Sequence, residues 1–220
     1  MAVDNIRLKD ALIGIAAVIA MDVLLVATVF VMMKAGLTTG GLGTIMPIAL
    51  VLSVVVPTAG LVYYLKQRGI SLGFLPLGRR GWHLLWQVPL AIFVAGVAAA
   101  IVGPLFGLSP SENTSAADGR GVMVVVSLAC YLFLAPLIEE IVFRRLLMGY
   151  LDRSVPAIAS VLFSSVLFGA AHIAPPVIVY ATFLGMGCAL VTRFHNSLRA
   201  GFILHLANNL TVQLIAISAL

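Results

Sequence analysis

Glu139 and Glu140 stand side by side in the segment LAPLIEEIVFRR. Glu140 and Arg144 are spaced i,i+4 with the acid on the amino-terminal side, the favoured order for a helical ion pair. Glu139 points about 100° away around the same helix and is left without that partner. One carboxylate is then neutralised structurally while its neighbour keeps a free, desolvated group suited to accepting a proton as a general base. The plainer alternative, that both acids simply pair with Arg144 and Arg145 at a membrane boundary, stays open on this segment alone. Phe168 and His172 share a helix face at i,i+4 spacing just before the helix-stopping pair Pro175 and Pro176. The run HLANN places His205 and Asn209 on one face and Asn208 on another. Each of these residues, taken singly, also has a packing explanation, because His and Asn bond readily across membrane helices. Asp22, alone in the first apolar run, reads as a packing hydrogen bond or a charge beside a cavity ahead of a catalytic group.

The elements that must carry these residues follow from composition. Of 220 residues 62% are hydrophobic and 10% charged, and the mean hydropathy is +1.15. Apolar runs recur at Ala11 to Met33, Leu42 to Leu65, Leu84 to Leu108, Gly121 to Tyr150, Val155 to Ile173, Pro175 to Val191 and Leu198 to Leu220. Most approach or exceed the roughly 20 residues needed to span a bilayer. The expectation is an all-α polytopic transmembrane bundle of about seven spans forming one integral membrane domain over residues 1–220, since alternation of the β-barrel type is absent. The first run is too long for a signal-peptide core and reads as a retained anchor. No internal repeat is evident, and the main hydrophilic stretch is Ser109 to Arg120.

The net charge of +5 and pI of 9.6 do not point to nucleic acid, because the basic residues sit in short gaps between apolar runs. With the amino terminus in the cytoplasm, Arg7, Lys9, Lys66, Arg68, Arg79, Arg80, Arg144, Arg145, Arg153, Arg193 and Arg199 fall inside and only Lys34 and Arg120 outside. That bias supports an odd number of spans and a carboxyl terminus on the outer side. His83, between Trp82 and Trp86, reads as an interfacial residue without chemistry. Cys130 and Cys188 lie inside apolar runs and imply neither a disulfide framework nor a thiolate metal cage.

A helical rise of about 1.5 Å per residue relates the depths of the polar residues. With the fourth and fifth helices joined near Asp152 to Ser154, Glu139 and His172 lie roughly 20 and 27 Å from the turn, a mismatch that tilt can close. His205 and Asn209 lie roughly 10 to 17 Å from the inner end of the last helix. All four can therefore meet in the inner half of the bilayer.

In type, spacing and order these residues resemble the CAAX-protease and bacteriocin-processing family of intramembrane glutamic endopeptidases. Its EExxxR motif corresponds to Glu139 through Arg144, its FxxxH motif to Phe168 through His172 and its HxxxN motif to His205 through Asn209. The likeness covers roughly Gly121 to Leu210. It implies that Glu139 and His172 activate a water for attack on a peptide carbonyl and that His205 and Asn209 stabilise the oxyanion. Glu140, Arg144 and Phe168 would hold the site in shape. It implies no cofactor, a plasma-membrane location with the site facing the cytoplasm, and a membrane-associated or lipid-modified peptide or protein as substrate.

Other readings stay open. Glu139, Glu140, His172, His205 and Asn209 are also an acceptable ligand set for a divalent metal such as zinc, which a chelator test separates. A non-catalytic immunity or scaffold protein, or a proton relay, is the alternative of another class. A serine intramembrane protease would need a Gly-x-Ser-Gly turn, an aspartyl one two intramembrane aspartates and a zincin HExxH. Neither the substrate nor the oligomeric state can be read from the residues, since Gly185 and Gly187 could pack helices within or between chains.

Overall fold

The computed structural model describes residues 5–37, 42–108, 122–172 and 174–218. The hydrophilic stretch 109–120 lies outside the described residues. Among the described residues seven helical rods follow one another: α1 (Leu8–Lys34), α2 (Leu42–Gln67), α3 (Leu84–Leu105), α4 (122–151), α5 (Ala157–Ala170), α6 (Pro175–His195) and α7 (Leu198–Ser218). A 3-10 turn, Gly78–His83, leads into α3. No strand occurs among the described residues.

Six of these rods are long and apolar enough to cross a bilayer. The fifth is shorter than expected: with 14 residues it reaches only about 21 Å, against a hydrocarbon core of about 30 Å. The reason lies at its end. Pro175 disfavours the helical region for the residue before it, and Ala174 accordingly has φ −72° and ψ 116°. The helix stops at Ala170, and His172 sits in the connection rather than on the rod.

Lipid, not water, is the solvent for this bundle, and the distribution of side chains is inverted accordingly. Val23, Val26 and Phe30 of α1 and Leu85, Phe93 and Ile101 of α3 are all more than half exposed, whereas Glu140, Arg144, Ser160, Ser164, Ser165 and Thr192 are wholly buried. In hydrocarbon a polar group must find its partner inside the protein. Ser164, for example, donates to the Phe143 carbonyl at 2.6 Å and joins α5 to α4.

α4 is not a uniform α-helix. Cys130–Leu134 and Ile141–Leu147 are π-helical turns, flanking the α-helical stretch Ala135–Glu140 that carries the two glutamates. Proline explains the first. In the wide i→i+5 register the carbonyl of Tyr131 would receive the N–H of residue 136, but that residue is Pro136 and has none. The Asn209 amide donates to the Tyr131 carbonyl instead, at 3.0 Å.

The segment between α2 and α3 ties together one end of the bundle. Arg145 on α4 donates to the Ser71 carbonyl at 2.7 Å, the Leu198 N–H to Gly73 at 2.9 Å and Arg199 to Phe74 at 3.0 Å. Arg68 pairs with Asp10 at the start of α1, 3.1 Å away. Arg153 donates to the Ile6 carbonyl at 2.9 Å, and Arg193 pairs with Asp152. Basic residues expected on one membrane face are thus interlocked at one end, and Lys34 closes the opposite end of α1. His83 is enclosed by aromatics: its ring stacks on Trp82 at 3.9 Å, and its Nδ1 accepts the Trp86 indole N–H at 3.2 Å.

Candidate active site

The two adjacent glutamates diverge in environment as their angular offset requires. Glu140 is wholly buried and its Oε1 lies 3.4 Å from Nη1 of Arg144, also wholly buried. That guanidinium donates to the Gly185 carbonyl at 3.2 Å and lies over the Phe168 ring, 4.3 Å from its centroid. Glu139, with 18% of its side chain exposed, lines a cavity of about 230 Å³ together with Val18, Met21, Asp22, Phe143, Phe168, Ala171 and His172. The volume is many times the roughly 10–15 Å³ that one water requires.

His172 meets Phe168 although it lies past the helix end. Its Nδ1 is 3.0 Å from the Phe168 carbonyl, and the rings pack edge to face at 4.9 Å. A carbonyl can only accept, so Nδ1 carries the hydrogen and Nε2 is the nitrogen left for the cavity.

His205 links the acids. Its Nδ1 is 3.1 Å from Glu140 Oε1 and its Nε2 3.4 Å from Glu139 Oε2. Each ring nitrogen of His205 thus faces a carboxylate oxygen, one on either glutamate. His205 also packs on Phe168 with centroids 5.5 Å apart. Asn209 stands at one remove: one amide N–H is spent on the Tyr131 carbonyl, its Oδ1 accepts from Asn208 at 3.2 Å, and a second N–H remains. Asn208 in turn accepts the Tyr180 hydroxyl at 2.5 Å.

Glycine lets these layers approach. A Cβ on Gly185 would fall 2.9 Å from Phe168 Cδ1 and 3.2 Å from Arg144 Nη2, and one on Gly201 would fall 2.4 Å from Thr192 Oγ1 and 2.6 Å from Glu140 Oε2. Gly185 therefore packs helices within the chain.

Of the residues singled out in the sequence, Glu139 and His172 meet at the cavity and His205 touches Glu139 from behind. Phe168 is part of the cavity wall, the Glu140–Arg144 pair lies behind it, and Asn209 faces a backbone carbonyl. Asp22 is the residue whose place the sequence left least defined; it enters the cavity from α1. Its signal was an isolated acid in an apolar helix. For a metal, ligand atoms of Glu140, Cys188 and His205 lie within 4.8 Å of one another, but the compensating positive charge there already comes from Arg144. Cys130 and Cys188 are both buried free thiols.

The model of the family "Type II CAAX prenyl endopeptidase Rce1-like" matches residues 121–211, the stretch holding all three motifs. Over 100 residues the chain is 33% identical to the putative membrane peptidase YdiL of Bacillus subtilis (strain 168), a match covering 42% of this chain and 39% of that relative. No solved structure matches the chain significantly. The glutamate pair, Phe168–His172 and His205–Asn209 all lie inside the matched segment, and over that segment the chain is similar to the type II CAAX prenyl endopeptidase family.

Proposed function

We propose that the chain is an intramembrane endopeptidase of glutamic type that hydrolyses a peptide bond in a membrane-associated or lipid-modified peptide. The observation that carries this reading is that Glu139 on α4 and His172 in the connection after α5 line one cavity, both within the segment matched by the endopeptidase family.

In the reaction, Glu139 takes a proton from a water oriented by Nε2 of His172, and the water oxygen attacks the scissile carbonyl carbon. Negative charge moves to the carbonyl oxygen, for which His205, in contact with Glu139, and the spare N–H of Asn209 are the donors. The C–N bond then breaks as the proton held by Glu139 passes to the leaving nitrogen. Glu140, Arg144 and Phe168 keep the two glutamates and both imidazoles in register. The interlocked basic end of the bundle faces the cytoplasm, so that the site works from that side of the plasma membrane.

The test is cleavage of fluorescence-quenched peptides, prenylated and unprenylated, by the purified chain in liposomes, with Glu139→Gln and His172→Ala beside it. Activity lost in both variants with the fold retained supports the reading. Full activity in either one refutes it. Activity abolished by a chelator and restored by zinc replaces the glutamic mechanism with a metal-dependent one.

A further inference from the structure

Three carboxylates surround the site, and two are matched. Glu140 has Arg144 at 3.4 Å, and Glu139 has His205 at 3.4 Å. Asp22, partly buried on α1, has no hydrogen-bond or ion-pair partner among the described residues, although it lines the same cavity as Glu139. His172 lines the same cavity, but its Nδ1 is committed to Phe168.

No Lys or Arg lines the cavity. Arg144 is held behind Phe168, and Arg145 is turned to Ser71. An aspartate at membrane depth without a cation is costly unless something in the cavity compensates it. The cavity has room for more than water. Its α1 wall, Val18, Met21 and Asp22, also lies outside residues 121–211, the segment that carries the family's shared motifs. A feature contributed from outside the shared machinery suits selection of what enters the site rather than the bond-breaking step itself.

We propose that Asp22 is a specificity-determining residue that pairs with a cationic side chain, Lys or Arg, carried by the substrate beside the bond that is cut. The apolar neighbours Val18 and Met21 would hold the methylene stem of such a side chain while its charged end reaches the carboxylate. The inference rests on the endopeptidase reading for its meaning, but its binding test does not require turnover.

The experiment uses the purified full chain in dodecyl maltoside micelles with ring-labelled histidine. The chain has 4 histidines, and the His172 signal is identified by its loss in His172→Gln. Three probes, the amides Ac-Leu-Lys-Leu-NH2, Ac-Leu-norleucine-Leu-NH2 and Ac-Leu-Glu-Leu-NH2, are titrated while that signal is followed. The lysine probe is expected to bind about tenfold more tightly than the norleucine probe, as suits one charge-assisted contact. In Asp22→Asn the ratio falls to near one, and in Asp22→Lys the order reverses in favour of the glutamate probe. A wild-type ratio within about twofold, no saturable shift with any probe, or a lysine preference that survives Asp22→Asn overturns the proposal. Asp22→Asn is nearly isosteric and keeps the test decisive if Asp22→Lys fails to fold. Should Glu139→Gln still cleave peptides, the endopeptidase mechanism fails while the binding preference is judged on its own result.

Discussion

Replacing either of the adjacent glutamates by glutamine removes one charge at nearly constant volume, yet the two variants should behave in opposite ways. In Glu140→Gln, the wholly buried Arg144 loses its carboxylate at 3.4 Å and keeps the Gly185 carbonyl and the faces of Phe143 and Phe168. Breaking a buried ion pair by deleting one partner costs about 3–5 kcal/mol. The lower end is expected here, because the unfolded chain in a membrane also finds polar partners. Glu139 is partly exposed to the cavity, and its contact, His205 at 3.4 Å, keeps Glu140 as a partner, so glutamine there should cost less than about 1 kcal/mol while removing the proposed general base, a loss of about 10²- to 10⁴-fold in rate. Stability is read by far-UV circular dichroism during titration of mixed micelles with sodium dodecyl sulfate, and activity on the same preparations in liposomes. The double variant Glu140→Gln/Arg144→Met removes both charges and should recover most of the lost stability. Equal destabilisation by the two single variants, or a double variant no better than Glu140→Gln alone, would refute the division of labour between the two acids.

Three further outcomes follow from the same geometry. Asn209→Ala should cost about 1 kcal/mol through the unpaired Tyr131 carbonyl, and Pro136→Ala, by restoring the missing N–H, should abolish that stability cost. Any loss of peptide cleavage that persists in the double variant measures the oxyanion role separately. Gly201→Ala forces a methyl to within 2.4 Å of Thr192 Oγ1 and 2.6 Å of Glu140 Oε2 and should destabilise by about 1–3 kcal/mol in the same titration, whereas Gly60→Ala, where a Cβ meets nothing within 4 Å, should be near neutral. For orientation, a cysteine placed at the exposed Arg80 should react with a membrane-impermeant maleimide only after cells are opened and one at the exposed Lys34 in intact cells. Both native thiols are buried and should stay silent.

Much of the site was legible in the sequence because it depends on local helical geometry. The i,i+4 spacing of Glu140 and Arg144 and the different facing of Glu139 follow once this segment is helical, whereas the contact of Phe168 with His172 is kept by the turn that follows α5. Apolar runs of this length in lipid leave the backbone few other ways to satisfy itself. The basic residues likewise announced which helix ends belong together, because charge is kept out of the hydrocarbon core.

What only the tertiary structure decided are contacts between residues far apart in the chain, which depend on how helices cross and how closely they approach. His205 reaches Glu140 across 65 positions and touches Glu139 as well, Asn209 serves a carbonyl 78 positions away that a proline orphaned, and Gly201 permits the approach that buries Glu140. Asp22 read by its neighbours in sequence as a packing hydrogen bond or a charge beside a cavity; it lines the cavity because α1 lies against α4. Periodicity records which face a residue occupies, but not which helix that face will meet.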